Sequence, residues 1–143
     1  MSGFIDPDRT QFEAFKDLDR DTPLNMLNLV KLNDLANYPG DHELARDGLT
    51  GAEAYATYGK ATAPLLADVG GSVVWRGKFE LTFIGPSDET WDAMFIVHYP
   101  NAKAFLKMIT SEAYQKLVVH RQAAVKTSRL IRTQNLDLTD SFA

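Results

Sequence analysis

Two kinds of hydrophobic periodicity divide the chain into helices and strands. The segments in which apolar residues recur every three to four positions, as in amphipathic helices, are residues 10–19, 50–68 and 102–126, the last with an irregularity near residues 110–111. The segments in which apolar residues alternate or run together, as in strands, are residues 24–32, 73–83, 93–99 and 128–135. The predicted order of elements is therefore α-β-α-β-β-α-β.

Capping signals predict where two of these helices begin. Thr10 is followed by Glu13, and Thr50 is followed by Glu53, so each pair has the capping-box spacing at a helix N-terminus. Pro64 falls on the predicted solvent face of the second helix, where it can bend the helix without entering the core. Both N-terminal boundaries are thus predicted from local chemistry alone.

Without the first helix, the order of elements is the split βαβ arrangement of four antiparallel strands with two helices on one face. The sequence therefore predicts an α+β fold, a ferredoxin-like βαββαβ unit with an extra N-terminal helix, in a single domain of residues 1–143. Residues 33–49 are predicted to form a long polar loop, and loops of this length are often functional or covered by a partner.

Both faces of the predicted third strand are apolar. Met94 and Ile96 point to one face, whereas Phe95 and Val97 point to the other. Two helices cover only one face of such a sheet, so a second copy of the chain is expected to cover the other face. The pattern therefore predicts a homodimer.

Composition narrows the classes of function. The 143 residues include no cysteine, which excludes disulfides and thiolate chemistry and fits a reducing compartment. The net charge of −4 and the scattered basic residues argue against a nucleic-acid partner. Neither a signal peptide nor a membrane span is expected, and the predicted location is the cytoplasm.

Several short motifs together resemble the family known as domain of unknown function 1330. They are residues 25–31 (NMLNLVK), Tyr55 with Tyr58, Gly70 with Gly71, Tyr99-Pro100 with Ala104-Phe105, and residues 114–124 with His120-Arg121. The resemblance covers about residues 23–133 and implies the dimeric α/β-barrel superfamily, in which two ferredoxin-like units join their sheets. That superfamily includes small monooxygenases, isomerases and haem proteins, so the resemblance implies no single activity.

Arg121 is the most informative candidate for a ligand contact. It falls near the middle of the buried arc of the last helix, and a guanidinium group keeps its charge when it is buried. Two alternatives follow from this position. Arg121 either forms a structural ion pair, for example with Glu80 or Asp92, or anchors the carboxylate or enolate of a ligand.

Tyr58, Tyr114 and Asn28 are the other candidate ligand-binding residues. The two tyrosines, together with Tyr55, point inward at helical spacing, which suits packing and also suits an apolar pocket with a few polar groups. Asn28 interrupts an apolar strand, where its amide either holds the backbone or contacts a substrate.

His98 and His120 are the candidate general bases, because imidazole titrates near neutral pH; the alternative is that each is simply packed or half exposed. No metal-binding or phosphate-binding motif is present, so no metal and no cofactor are predicted. The predicted function is binding of a small acidic or aromatic metabolite, with cofactor-free oxygenation or isomerisation as its chemistry. The alternatives are a non-catalytic dimeric binding protein and a haem-binding protein with one of these histidines as axial ligand.

Overall fold

The four strands form one antiparallel sheet in the order β2-β3-β1-β4, and the computed structural model describes residues 3–143. The elements are α1 (Arg9–Asp17), β1 (Leu24–Leu32), α2 (Gly51–Asp68), β2 (Ser72–Gly77), β3 (Ala93–Tyr99), α3 (Ala102–Thr110), α4 (Glu112–Ala124) and β4 (Val125–Gln134). This is the ferredoxin-like βαββαβ order with an additional N-terminal helix, so the predicted α+β fold is confirmed. Within the described range, no helix combines the length and apolar character needed to cross a membrane.

The central strand β1 organises the sheet because it pairs with β3 on one side and with β4 on the other. Met26, for example, lies opposite Val97 of β3 and Arg132 of β4. Leu24, Met26 and Val30 are no more than 3% exposed, and burial of an apolar side chain of this size stabilises the fold by about 1.5–3 kcal/mol. The bounds of β1 and β3 are those predicted from the sequence.

The two predicted capping boxes have different outcomes. Asp8 is the N-cap of α1, and its Oδ1 accepts a backbone hydrogen bond of 2.7 Å from the first turn. The predicted box of Thr10 and Glu13 is wrong, because Thr10 already lies inside the helix. The second box is confirmed: Thr50 Oγ1 accepts from the backbone N–H of Glu53, and the Glu53 carboxylate accepts from that of Thr50, both at 3.0 Å.

The helix predicted over residues 102–126 is in fact two helices that meet at Ser111, at the position of the predicted irregularity. The Ser111 hydroxyl donates to the carbonyl of Met108 at 2.7 Å and accepts from the backbone N–H of Tyr114 at 3.1 Å. One side chain therefore satisfies groups at the end of α3 and at the start of α4, and this makes the break between them stable. After α4, the last strand starts at Val125, earlier than predicted.

Strand β2 is much shorter than predicted. Its pairing with β3 stops at Gly77, which lies opposite Met94, although the alternation of apolar residues continues to residue 83. Because β3 begins only one residue before Met94, it offers no further partner for the rest of the alternating segment. Leu81 and Phe83 are consequently 75% and 89% exposed, in a long connection between β2 and β3.

The helices pack on one face of the sheet through two groups of buried residues. The larger group consists of Leu24, Met26, Val97, Tyr99, Ala102, Ala104, Phe105, Met108 and Tyr114. The smaller group lies beneath the long loop of residues 33–49 and consists of Tyr38, Ala54, Ala123 and Ala124. The long loop is therefore packed against α2 and α4 over part of its length.

The opposite face of the sheet, which we call the open face, points away from α2, α3 and α4. Its apolar residues, placed by the register of the strands, are Leu27, Leu29, Trp75, Met94, Ile96 and Ile131. Trp75 and Ile131 are 45% and 46% exposed. This is the apolar face that the alternation of β3 predicts.

Candidate functional site

A cavity of about 850 Å³ lies between the sheet and the helices. Strands β1, β3 and β4 contribute one side of the lining, α2, α3 and α4 contribute another, and residues 4–15 of the N-terminal segment complete it. Much of the lining is apolar, with residues such as Met26, Phe95, Val97 and Phe105. Both the volume and the lining are typical of a site for a small molecule.

All four candidate ligand-binding residues lie in the lining of this cavity. Tyr58 comes from α2, Asn28 from β1, and Tyr114 and Arg121 both from α4. The last two are seven residues apart, or about two helical turns, and therefore share one face of α4. Helical phase thus brings the side chains together, while ligand binding by them stays a prediction.

Arg121 has no carboxylate partner within 4.0 Å among residues 3–143. Its guanidinium group donates to the backbone carbonyl of Ile5 and, at 3.1 Å, to the hydroxyl of Ser128. The predicted ion-pair partners lie elsewhere, because Asp92 is 3.8 Å from a lysine and Glu80 is exposed in the connection after β2. The ion-pair alternative is therefore wrong, and the charge of Arg121 faces the cavity with only neutral acceptors.

The charged side chains of the lining are mainly positive. They are Arg121 and Arg132 against the carboxylate of Asp6, as far as the structure describes the chain; Arg129 also borders the cavity, but it lies opposite Leu29 and therefore on the open face. Arg132 is also bonded to neutral acceptors, since it donates to backbone carbonyls of the N-terminal segment. An excess of positive charge with low-dielectric walls favours an anionic ligand.

The tyrosines of the cavity are hydrogen-bond donors at neutral pH. The hydroxyls of Tyr58 and Tyr114 are hydrogen-bonded at 2.9 Å, and the Tyr55 ring centroid lies 5.6 Å from that of Tyr58. Burial raises the pKa of Tyr55 to about 12, although the positive charge of Arg121 opposes the shift. Burial, followed by the neighbouring Tyr114, also raises the pKa of Tyr58. Neither hydroxyl can therefore serve as a base near neutral pH.

Asn28 holds its own strand and also borders the cavity. Its Nδ2 donates to the backbone carbonyl of Met26 at 3.1 Å. This bond uses one of the two amide hydrogens, and the Oδ1 atom has no hydrogen-bond donor among the residues that the structure describes. Backbone support and ligand contact, the two alternatives for Asn28, are therefore compatible.

Neither candidate histidine lines the cavity. His98 alternates onto the open face, where its Nδ1 is 3.0 Å from Oδ1 of Asn25. His120 points to the long loop, where its Nδ1 shares a hydrogen bond of 2.7 Å with the Tyr38 hydroxyl. From these positions neither imidazole can act at the cavity as a general base or as an axial haem ligand. Residues 3–143 also hold no cluster of three metal-ligating side chains, and the absence of a metal or cofactor stays a prediction.

The N-terminal segment and Arg132 are cavity residues that sequence reasoning missed. The backbone N–H of Ser128 donates to the carbonyl of Phe4 at 2.7 Å, and the Phe4 N–H donates to Thr127 Oγ1 at 3.1 Å. These bonds hold the segment along β4, although more than 120 residues separate the partners. Local periodicity carries no signal for contacts at such a separation.

Residues 44–133 match the model of the domain of unknown function family DUF1330. The chain belongs to this family. It is 49% identical to a protein of unknown function from Rhodopseudomonas palustris, for which a crystal structure has been determined. The alignment with that structure covers 96% of this chain and 100% of that chain, and its TM-score is 0.88. A methylated form of the same protein gives 49% identity, coverage of 96% and 98%, and a TM-score of 0.89. No curated protein matches the sequence.

Structures at lower identity share the fold alone. A hypothetical protein from Arabidopsis thaliana, solved in solution, is 12% identical, covers 86% of this chain and 96% of that chain, and has a TM-score of 0.50. The family match confirms the resemblance drawn from the sequence, but it starts later than the predicted span of residues 23–133. Tyr58, Tyr114 and Arg121 therefore lie inside the matched region, whereas Asn28 lies outside it.

Proposed function

We propose that this DUF1330 protein binds a small organic acid with an apolar or aromatic body in the cavity between sheet and helices. The observation that carries the proposal is the position of Arg121, which lines the cavity and contacts only neutral acceptors. A guanidinium group has five N–H donors, and the contacts with Ile5 and Ser128 use two of them. The remaining donors suit a carboxylate, which arginine binds in a bidentate, charge-assisted manner.

The neighbouring polar groups suit the same ligand. One hydroxyl hydrogen is used between Tyr58 and Tyr114, so the other hydroxyl hydrogen of the pair can be donated to a ligand oxygen. The free amide groups of Asn28 offer a further donor and an acceptor. The apolar lining would then hold the hydrocarbon or aromatic part of the acid.

The reaction class that we propose for this site is cofactor-free isomerisation or oxygenation through an enolate, with dioxygen as the second substrate in the oxygenation. Arg121 and the protonated tyrosines would stabilise the negative charge that develops on the enolate oxygen. Proton transfer from the ligand would need a base, and Asp6 is the carboxylate that the described lining offers.

Non-catalytic binding is the second candidate function, and a specific observation favours it. The described lining contains no histidine, lysine or glutamate, and Asp6 is exposed and lies 3.3 Å from the amide nitrogen of Gln122. A general base tuned toward neutral pH is usually buried or placed beside another charge. The cavity thus has the groups for binding an anion more clearly than the groups for proton transfer.

We further propose that the protein acts as a homodimer in the cytoplasm. The apolar open face supports the dimer, because a second copy would remove its exposed side chains from water. The lack of cysteine fits a reducing compartment.

Binding is tested by thermal unfolding with a panel of aliphatic and aromatic carboxylic acids, using wild type, Arg121→Ala and the control Arg46→Ala. Arg46 is an exposed arginine of the long loop and does not line the cavity. An acid that binds should raise the melting temperature of wild type and Arg46→Ala but not that of Arg121→Ala. We expect Arg121→Ala itself to cost about 1–3 kcal/mol, less than the roughly 3–5 kcal/mol for breaking a buried ion pair.

Equal responses of wild type and Arg121→Ala, or no response of wild type to any acid, would contradict binding at Arg121. For an acid that binds, NMR in deuterated water then separates the two candidate functions. Exchange of the hydrogens next to the carboxylate or carbonyl group supports enolate chemistry, and it should disappear in Asp6→Asn. Binding without exchange, turnover or oxygen consumption supports the non-catalytic function.

A further inference from the structure

Residues 78–84, which we call the arm, leave the sheet directly after β2 and keep the sequence pattern of a strand. Phe79, Leu81 and Phe83 alternate with polar residues along it. Leu81, Phe83 and Ile84 are 75%, 89% and 89% exposed. A segment with a strand pattern, no partner strand and an apolar side in solvent is typical of a surface that another chain covers.

The arm belongs to a connection that has internal hydrogen bonds. Thr82 Oγ1 donates to the carbonyl of Glu89 at 2.9 Å, and the Glu89 N–H donates to the carbonyl of Pro86 at 3.1 Å. Farther along, Lys31 Nζ donates to Thr90 Oγ1 at 2.8 Å. These bonds tie the arm to its own turn and tie the connection to β1, but they do not bury its apolar side chains.

We infer that the arm docks on the open face of a second copy of this chain, which returns the same contact by two-fold symmetry. The arm continues β2, whose Trp75 already lies on the open face, so the two apolar surfaces follow one another along the chain. The exposed parts of Trp75, Leu81, Phe83, Ile84 and Ile131 amount to on the order of 600 Å², close to the roughly 800 Å² that each partner of a standard interface buries.

A second copy is the occupant that the geometry favours, because one molecule supplies both halves of the contact. Each chain carries one arm and one open face, and a self-complementary pair of this kind closes as a two-fold dimer without leaving either surface exposed. This inference rests on the homodimer proposed above and adds the segment that holds it.

The test compares polar substitutions in the arm with equivalent substitutions in another exposed apolar segment. Leu81→Ser with Phe83→Ser alters the arm, and Leu138→Ser with Phe142→Ser alters the C-terminal tail, where the two residues are 101% and 113% exposed. Analytical ultracentrifugation should show a dimer dissociation constant raised by about a hundredfold or more in the arm variant and unchanged in the tail variant. Circular dichroism should show the same secondary structure in both, because these side chains are exposed.

Cross-linking locates the contact directly, because the chain has no cysteine of its own. Phe83→Cys, labelled with a benzophenone maleimide, should give covalent dimers with cross-linked peptides that contain Trp75, Ile96 or Ile131. Leu138→Cys serves as the control and should give none at these positions. A monomeric wild type would overturn both the homodimer and the arm contact. A dimeric wild type whose dissociation constant does not change in the arm variant, or changes equally in both variants, would overturn the arm contact alone.

Discussion

Helix α4 contributes to two clusters of polar and aromatic side chains that look alike in sequence and differ in structure. The cavity cluster consists of Tyr58, Tyr114 and Arg121, and the loop cluster consists of Tyr38, His42 and His120. His120 and Arg121 are adjacent in the chain but point to different elements, because successive helical residues are turned by about 100°.

The difference between the clusters lies in what surrounds their polar atoms. In the loop cluster, the Tyr38 hydroxyl and Nδ1 of His120 bond each other at 2.7 Å, and Nδ1 of His42 accepts from the backbone N–H of Leu44 at 3.0 Å. In the cavity cluster, hydrogen-bonding groups border about 850 Å³ of unfilled volume. Residue type alone therefore does not distinguish the two clusters; unfilled volume beside unused donors does.

The largest expected effect is a loss of stability at alkaline pH, caused by ionisation of the buried Tyr55 hydroxyl beside the cavity cluster. Burial raises the pKa of Tyr55 to about 12 in the folded protein, against about 10 in the unfolded chain. The folded state therefore binds this proton more tightly, and its stabilising effect is complete below pH 10 and lost between pH 10 and 12. Urea unfolding at pH 10 and at pH 12 measures the free energy of unfolding of each protein. Between these two pH values, Tyr55→Phe should lose about 2–3 kcal/mol less of this free energy than wild type.

The pH series has an internal check in the absorbance of tyrosinate. In wild type, part of the absorbance change should appear only near pH 12, and Tyr55→Phe should remove part of that late change. A Tyr55→Phe protein with the same alkaline loss of stability as wild type would show that the buried hydroxyl does not cause the loss.

An intermediate effect is expected when each cluster loses one hydroxyl. Tyr38→Phe leaves Nδ1 of His120 without its partner and should cost about 1–2 kcal/mol of unfolding free energy. Tyr58→Phe leaves the Tyr114 hydroxyl beside the cavity, where water can replace the lost partner, and should cost less than about 1 kcal/mol. Urea unfolding of the two matched variants measures the difference, and the reverse order would break the distinction between the clusters.

The smallest expected effect is a local loosening of the long loop in acid. Burial, followed by the neighbouring His42, lowers the pKa of His120, while Glu43 opposes the shift. His120 therefore binds a proton more readily when the loop is detached from α4, so the stabilising effect is present above about pH 6.5 and is lost as the pH falls through the folded pKa. Hydrogen exchange, corrected for the intrinsic rate, should show less protection at pH 5 than at pH 7 for Asn37, whose N–H donates to Ala123.

The backbone amides of α2 beyond its first turn serve as the control for this acid effect, and their protection should change much less. Retained protection of Asn37 at pH 5 would show that His120 does not stabilise the loop through its neutral form. Protonation of the imidazole can be followed in the same samples by NMR.

Periodicity predicted which side chains point inward better than it predicted the boundaries of some elements. The inward position of Arg121 and Tyr114 followed from the 3.6-residue repeat, because both lie on the sheet side of one helix. The same repeat predicted an irregularity near residues 110–111 but not the division into two helices, since apolar residues keep helical spacing on both sides of Ser111. It also extended β2 to residue 83, because alternation records a preference for strand geometry and not the presence of a partner strand.

The sequence by itself determined the order of elements, the central strands and which side chains of each helix point inward, because these depend on local spacing and local capping. Only the tertiary structure decided that Arg121 meets Ile5 and Ser128 instead of a carboxylate, and that the N-terminal segment closes the cavity. Only the tertiary structure showed that His98 and His120 lie away from the cavity. These features depend on contacts between residues distant in the chain, and such contacts are decided by the way the elements fill space together.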